Sequence, residues 1–331
     1  MAVQFEGTIA EHLAVRRAAG LFDVSHMARL ALCGPGADEA VERLLTRKTA
    51  DMAPGIVRYS FIADAQGAIL DDLMVARRDD GWLLIANAVN HERVVAQIHG
   101  AGFGGTLADH TRETAMLALQ GPQSVEMMQR VWPAAAPDER KRGRLWSAER
   151  GGAELVGSRT GYTGEDGFEV HGPPGSVESL WADLRAEGAA PCGLAARDSL
   201  RNEAALPLYG HELREDTNPW EAGLAYSVSL DKDFIGRDDM LRRREHGVRQ
   251  KRVGLVLAGR RIARENMPVL RGDRTVGTVT SGTWSPLIEA PIAQAYLDTA
   301  VLHEDGNVEI DVRGRREQAR IVPVRELMRR H

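Results

Sequence analysis

The chain has 331 residues, of which 43% are hydrophobic and 27% are charged, and its net charge is −5. This length exceeds what one small core needs, so we expect two or three domains, and the balanced charge excludes a basic nucleic-acid-binding surface. No apolar run is long enough to span a membrane, and residues 1–7 resemble neither a signal peptide nor a transit peptide. The only cysteines, Cys33 and Cys192, indicate a reducing compartment, so we predict a cytoplasmic protein.

The first third of the chain alternates helical and strand-like patterns. Apolar spacing and Gly20 predict a helix over 9–19, and glycine and proline residues separate the later segments. A G-x-G-x-x-G match at 100–105 follows a helix and precedes a strand, so it is interpreted as a loop and not as a dinucleotide site. The remaining predictions are strands at 29–33, 58–62, 69–76 and 82–86, antiparallel over the last three, and helices at 37–45 and 91–99.

Two adjacent carboxylates, Asp71 and Asp72, interrupt an apolar strand. Alternation sends the two side chains to opposite faces, so one of them can point into a cavity and bind an amine or assist proton movement. A solvated pair just after the preceding turn is the alternative. Tyr59, Asn87 and Asn90 lie on or after neighbouring strands, where each by itself is typical of a surface or cross-strand residue.

A glycine-rich segment follows at 159–169, and its glycines predict a tight turn with close backbone approach. The strand-like run after the turn carries Glu169. A carboxylate on a strand edge can receive two parallel N–H donors, a pair that the edge of a pterin offers. Tyr162 in the turn is a candidate stacking wall for a ligand.

Helices are predicted at 177–187 and 195–203. Arg197 and Arg201 are four residues apart on the second helix and therefore share a face. They can bind a dianionic ligand tail, or they can form an internal ion-pair network with Asp198 and Glu203.

Two histidines are candidates for a functional role. His26 is a candidate base, although a hydrogen-bonded structural histidine is the simpler interpretation. His211 lacks the spacing of a metal-binding histidine pair, so no metal is expected there.

The pattern changes after residue 251, where helical signals give way to short β-rich runs separated by Gly and Asp turns. This pattern is typical of a small β-barrel or sandwich, and we place a domain boundary near Gly247. The predicted strands are 253–257, 275–281, 292–297, 308–312 and 320–324.

Taken together, these segments resemble the aminomethyltransferase, or T-protein, family of the glycine cleavage system, within the folate-binding aminomethyltransferase superfamily. The matching runs occur in family order along nearly the whole chain. They are AGLFDVSHM (19–27), GAILDDL (67–73), ALQGP (118–122), TGYTGEDGFE (160–169), CGLAARDSLRNEAALPLYGHEL (192–213), TNPWEAGL (217–224), DFIGR (233–237), GTVTSGT (277–283) and SP (285–286).

The resemblance implies an α+β fold: a two-lobed antiparallel α/β folate-binding region at 1–247, then a C-terminal β-barrel at 248–331, three-lobed overall. It implies transfer of a methylene group from the aminomethyl-lipoyl arm of a partner H-protein to tetrahydrofolate, with release of ammonia. Tetrahydrofolate is the co-substrate, and no metal is required.

The resemblance also implies roles for particular residues. Asp72 matches the family's catalytic carboxylate, and Asp71 is expected to act mainly on stability. Glu169 matches the acceptor for the pterin edge. The other implied folate-binding residues are Tyr59, Asn87, Tyr162, Arg197 and, from the barrel, Arg325.

The sequence departs from the family in a few places. A Gly-Trp-x-Met-Pro element that usually precedes the segment matching 1–7 is missing, so the first lobe is expected to be shortened. Asn202 and Ala205 replace the usual Leu and Gly. Two other functions stay open: a tetrahydrofolate-dependent demethylase of another small molecule, and a non-enzymatic folate-binding protein, although the Lys-Gly-Cys-Tyr-x-Gly-Gln-Glu signature of the latter is absent.

Overall fold

The computed structural model describes residues 1–135, 140–303 and 306–328. The chain divides into two compact units. The first comprises Met1–Arg197 and Ser227–Arg237, and the second comprises Asp198–Tyr226 and Asp238–His331. Among the helices of the described residues, none has the length and apolar character needed to cross a membrane.

The helices and strands are numbered in chain order. Helices α1 to α7 span Thr8–Arg17, Ala37–Leu44, His91–Gly100, Ser124–Val131, Pro174–Ala186, Leu194–Glu203 and Arg237–Glu245. Strands β1 to β17 span Gly20–Asp23, Ala28–Cys33, Val57–Ala63, Ile69–Arg78, Gly81–Ala86, Thr106–Asp109, Ala115–Gln120, Leu145–Arg150, Ala153–Ser158, Gly167–Gly172, Ala190–Pro191, Gln250–Leu257, Pro268–Arg271, Arg274–Ser285, Ala290–Asp298, Asn307–Asp311 and Arg316–Val322.

One sheet of the first unit has the strand order β3-β4-β5-β2-β6. Its strands pair antiparallel, as predicted for the three segments that form β3, β4 and β5. Helices α2 and α3 pack on it and enclose a core that includes Leu30, Val75 and Leu84, all fully buried. The loop between α3 and β6 confirms that the glycine-rich run at 100–105 is a helix-to-strand connection.

The other sheet of the first unit has the order β11-β1-β7-β10-β9-β8. Helices α4 and α5 cover a separate core that includes Leu119, Phe168 and Leu180. Strand β10 pairs with β7 on one side and with β9 on the other. The prediction of a carboxylate on a strand edge is therefore wrong: Glu169 lies on an interior strand, and its side chain projects from a face of the sheet.

The second unit contains a closed barrel of strands in the order β12-β15-β14-β13-β16-β17, which confirms the predicted β-barrel. Pairing of β12 with β17 closes the ring. Along β12 the interior positions Val253, Leu255 and Leu257 are all buried, as the two-residue period of a strand requires. The barrel core is a third hydrophobic cluster, distinct from those under the two sheets.

We expect Gly121, between β7 and α4, to resist substitution. Its φ is +136°, and a Cβ atom there would lie 2.4 Å from the carbonyl oxygen of Ala18. Gly121→Ala should lower the free energy of unfolding by about 3 kcal/mol or more, measured by urea titration, because backbone strain adds to a clash with main-chain atoms.

Gly151→Ala is the matched control, since Gly151 also has a positive φ but a Cβ atom would meet nothing within 4 Å. It should cost about 1 kcal/mol. Equal losses in the two variants would contradict the steric argument.

Candidate active site

Asp71 and Asp72 lie near the start of β4, beyond the point where β5 pairs with this strand. The pairing of β4 with β5 begins at Met74, opposite Ile85. Asn87 follows the end of β5 and so comes level with the two carboxylates. On the other side, β3 pairs along the same stretch, with Phe61 opposite Asp72.

Asn87 donates hydrogen bonds to both carboxylates. Its backbone N–H lies 2.9 Å from Oδ2 of Asp71, and its side-chain Nδ2 lies 2.8 Å from Oδ1 of the same residue. The same Nδ2 lies 3.0 Å from Oδ1 of Asp72 and 3.0 Å from the Asp72 carbonyl oxygen. Asn90 adds a bond of 2.7 Å from its Nδ2 to Oδ1 of Asp71. One short segment therefore holds both acids.

Tyr59 holds Asp72 from the opposite strand. Its hydroxyl donates to Oδ2 of Asp72 over 3.0 Å. The ring packs edge-on against Phe61, with 5.6 Å between the ring centroids. Each oxygen of the Asp72 carboxyl group thus has one protein donor from a side chain, an arrangement that orients the group without pairing it to a cation.

Burial decides the protonation of this pair. Asp71 is fully buried and Asp72 is partly buried, so the alternative of a solvated pair is wrong. Burial, with the nearby negative charge of Asp71, raises the pKa of Asp72 to about 7. Burial also raises the pKa of Asp71, to about 6, although the donors from Asn90 and Asn87 oppose this change.

Glu169 projects from β10, where its backbone pairs with Ala118 on β7 and Ser158 on β9. Its Oε2 accepts a hydrogen bond of 2.5 Å from the hydroxyl of Thr160. Within the described residues, its Oε1 has no hydrogen-bond donor. The half-buried carboxylate can therefore still accept donors from a ligand.

The guanidinium group of Arg197 lies over the ring of Tyr162, with its carbon 4.7 Å from the ring centroid. Burial lowers the pKa of Arg197, and the negative charge of Glu169 partly opposes this change. No carboxylate of the described part of the chain lies within ion-pairing distance of this guanidinium. The arginine remains charged and offers its N–H groups to an anionic ligand.

The backbone that carries Arg197 is fixed by the N-terminal segment. The first N–H groups of α6, those of Leu194 and Ala195, donate to the carbonyl oxygens of Ala2 and Val3. The N–H of Gly193 donates to Oε2 of Glu11 over 2.7 Å. Oε1 of Glu11 in turn accepts the N–H groups of 5, 6 and 7. This buried glutamate is a feature that the sequence analysis missed.

His26 is not the hydrogen-bonded structural histidine that was the simpler interpretation. Its Nδ1 is buried and has no hydrogen-bond partner among the described residues. Burial lowers the pKa of His26, and the positive charge of Arg197 lowers it further. The imidazole is therefore neutral at pH 7.

Arg201 is bound by carboxylates of the protein and does not form an anion-binding pair with Arg197. It is buried and pairs with Glu212 at 2.7 Å and with Asp198 at 2.7 Å. Burial alone would raise the pKa of Glu212, but the Arg201 charge and two hydroxyl donors hold it below its usual value. The predicted ion-pair network is thus confirmed for Arg201 with Asp198, and Glu203 accepts the hydroxyl of Ser285.

The predicted site residues therefore fall into two groups of the first unit, one around Asp72 and one around Glu169. Arg325 lies in the second unit, on the short 3-10 helix Val324–Glu326, and its role stays a prediction. Within the part of the chain that the structure describes, no group of three or more His, Cys, Asp and Glu side chains could hold a metal ion.

Comparison with known proteins identifies the family to which this chain belongs. Residues 1–232 match the GCVT N-terminal domain, and residues 250–324 match the glycine cleavage T-protein C-terminal barrel domain. An aminomethyltransferase of Rubrobacter xylanophilus is 44% identical over 98% of this chain and 87% of the relative. An aminomethyltransferase of Moorella thermoacetica is 42% identical over 97% of this chain and 90% of the relative.

A solved structure aligns with nearly the whole chain. The crystal structure of glycine cleavage system aminomethyltransferase T from Bartonella henselae aligns with a TM-score of 0.90 at 32% identity. The alignment covers 98% of this chain and 91% of that one. The chain belongs to the glycine cleavage T-protein family. It is an enzyme, an aminomethyltransferase of the glycine cleavage system.

The raised pKa of Asp72 makes a prediction for stability. The folded state binds a proton at Asp72 more tightly than the unfolded chain, in which the pKa is near 3.8. Wild-type stability should therefore fall as the pH rises from about 4 to about 7, and Asp72→Asn should lack this loss. Relative to wild type, the variant should gain about 2 kcal/mol in unfolding free energy between pH 4 and pH 8, as followed by urea titration.

Asp79→Asn serves as the control, because Asp79 is an exposed residue on the turn that follows β4. Its stability should follow the wild-type curve across this range. A constant difference between Asp72→Asn and wild type would contradict the raised pKa.

Proposed function

We propose that this enzyme transfers the methylene group of an aminomethyl-lipoyl arm, carried by a partner H-protein, to tetrahydrofolate and releases ammonia. The observation that carries the proposal is the Asp72 carboxyl group. It is partly buried, oriented by Tyr59 and Asn87, and pairs with no cation among the described residues. In an aminomethyltransferase, such a group is suited to a substrate that brings its own positive charge.

Asp72 is proposed as the catalytic residue. The aminomethyl nitrogen is cationic, and positive charge develops on the adjacent carbon as its bonds to nitrogen and sulfur break. The nitrogen leaves as ammonia, and the sulfur remains on the arm as a thiol. A carboxylate held in place by two hydrogen bonds stabilises that charge without reorganising during the reaction. The same carboxylate can orient the accepting nitrogen, which lowers the entropic cost of the transfer. Tetrahydrofolate supplies the nitrogen atoms that receive the carbon.

Glu169 and Arg197 are proposed to bind tetrahydrofolate. Oε1 of Glu169 has no protein donor within the described residues, and so is available to the paired N–H groups of a pterin edge. Arg197 has a positive charge with no carboxylate paired to it in that part of the chain, which fits a ligand that ends in carboxylates. The two side chains together match a ligand with donors at one end and negative charge at the other.

The remaining residues complete the proposed folate site. Tyr59 and Asn87 border Asp72, and Tyr162 presents an aromatic ring beside Arg197. Arg325 is proposed as a contribution from the barrel. We also propose a domain boundary near Gly247, just before β12 begins at Gln250, and a cytoplasmic location, in keeping with the two free cysteines.

The proposal is tested by incubating the full chain with aminomethyl-loaded H-protein and tetrahydrofolate and measuring ammonia and methylenetetrahydrofolate. We expect both products in equal amounts, with little ammonia when tetrahydrofolate is omitted. Absence of both products with a folded enzyme and competent substrates would overturn the proposed reaction.

Asp72→Asn should separate catalysis from binding. We expect turnover to fall by about two orders of magnitude or more, because a charge that stabilises the transition state is lost. Binding of tetrahydrofolate, measured by calorimetry, should be largely retained because the amide keeps the shape of the carboxyl group. Turnover near the wild-type value would exclude Asp72 as the catalytic residue.

Glu169→Gln should weaken binding of tetrahydrofolate. An amide offers one acceptor oxygen and places an NH₂ group against a ligand donor. The loss of a charge-assisted contact should weaken the binding free energy by about 2–3 kcal/mol in calorimetry. Asp183→Asn, on an exposed position of α5, is the control and should bind as wild type does. An unchanged Kd for Glu169→Gln would show that another residue binds the pterin.

A further inference from the structure

Asp71 is a fully buried carboxylate, and the segment that begins at Asn87 supplies three of its hydrogen bonds, to which the backbone of Asp72 adds another. It accepts the backbone N–H and the side-chain Nδ2 of Asn87, together with the Nδ2 of Asn90. A residue that only filled space in the core would not need to be charged at this position, because burying a carboxylate costs free energy. The contacts therefore point to a role in ordering Asn87.

The hydrogen bonds between Asp71 and Asn87 determine which way the side-chain amide of Asn87 faces. Both carboxyl groups need donors, so the nitrogen of the amide must face them and its oxygen must face away. Because Asp71 holds the backbone and the side chain of the same residue, it fixes both the position and the rotation of this amide. Asn87 then carries the constraint to Asp72, since its Nδ2 lies 3.0 Å from Oδ1 of Asp72.

We propose that Asp71 is a positioning residue for the reaction: it fixes Asn87, and through Asn87 it couples to Asp72, so that the two carboxyl groups titrate as one unit. This inference rests on the proposed role of Asp72. Before the cationic substrate binds, the unit holds one proton near neutral pH, because two like charges joined through one amide do not ionise independently.

The surroundings of the pair leave few other groups to control its charge. Tyr59 reaches Asp72 from β3, and Asp71 lies beside it on β4. From the segment after β5, the contacts come from the uncharged amides of Asn87 and Asn90. Burial and the negative charge of Asp71 both raise the pKa of Asp72, so removal of the Asp71 charge should lower it.

The test is the pH dependence of kcat/KM for ammonia release by the full chain, with aminomethyl-loaded H-protein and tetrahydrofolate. Wild type should lose activity on the acid side with an apparent pKa near 7, the value for Asp72. Asp71→Asn should move this acid limb down by about one pH unit. It should also raise the KM for tetrahydrofolate by about tenfold, because the hydrogen bonds that hold Asn87 in place are weakened.

Asp79→Asn makes the same chemical change at an exposed site of the following turn and should leave the acid limb and the KM unchanged. Asn90→Ala provides a second variant if Asp71→Asn folds poorly. It removes a side-chain donor to Asp71 and keeps the backbone hydrogen bond from residue 90 to the carbonyl oxygen of Asn87. Asp71 should then hold the shared proton more firmly, and the acid limb should again move down, by a smaller amount. If neither variant moves the acid limb while both lose stability, Asp71 is only structural and the inference is wrong.

A second measurement does not depend on activity. Urea unfolding of wild type, Asp71→Asn, Asp72→Asn and the double variant gives the coupling between the two positions. Asp71→Asn changes the folding equilibrium constant by some factor in each background. At pH 8 this factor should differ by about tenfold between the wild-type and the Asp72→Asn backgrounds. At pH 4 it should be the same in both. Coupling that does not change with pH would overturn the inference. If the coupling depends on pH as expected but the wild type is inactive, only the proposed reaction is overturned.

Discussion

A carboxylate removed from water must find hydrogen-bond donors inside the protein, and this constraint organises much of the molecule. Asp71 collects its donors from the segment after β5. Glu11 collects backbone N–H groups from the N-terminal segment and from the residue before α6. Glu212 takes its donors from Arg201, from the backbone of Leu208 and from the hydroxyl of Thr280 on the barrel strand β14. In each case one acid joins segments that are separate in the sequence.

The same constraint distinguishes a structural carboxylate from a reactive one. Glu212 has a full complement of donors, including a buried guanidinium group, and its pKa stays below the usual value. Asp72 has a hydroxyl and a shared amide, and its pKa is raised to about 7. The incomplete set of donors leaves Asp72 poised between its two protonation states, and leaves room for a donor or a charge that arrives with a substrate.

Much of this structure could be predicted from the sequence, because strands and helices leave regular apolar periods. The barrel and the strand that carries the two aspartates follow from such patterns, whereas the patterns leave the burial of the pair open between a cavity and solvent. The contacts of Asn87 could not be predicted, since they form where the strand pairing has ended. Nor could the separation of Arg197 from Arg201, because helical spacing specifies a shared face and not the partners each guanidinium group meets. Ala205 stands where the family pattern has glycine, and its φ of +58° is a left-handed conformation that glycine adopts more easily than alanine.

The bonds made by Glu11 bear on how freely the first residues can change during evolution. At positions 5 and 6 this acid recognises only main-chain N–H groups, which every amino acid except proline provides. The side chain of Phe5 is half exposed and takes no part in this recognition. At position 7 the backbone has φ +113°, which restricts the choice to glycine. Any residue except proline at positions 5 and 6 would therefore keep the backbone contacts to Glu11, and with them the support that Glu11 gives to the start of α6.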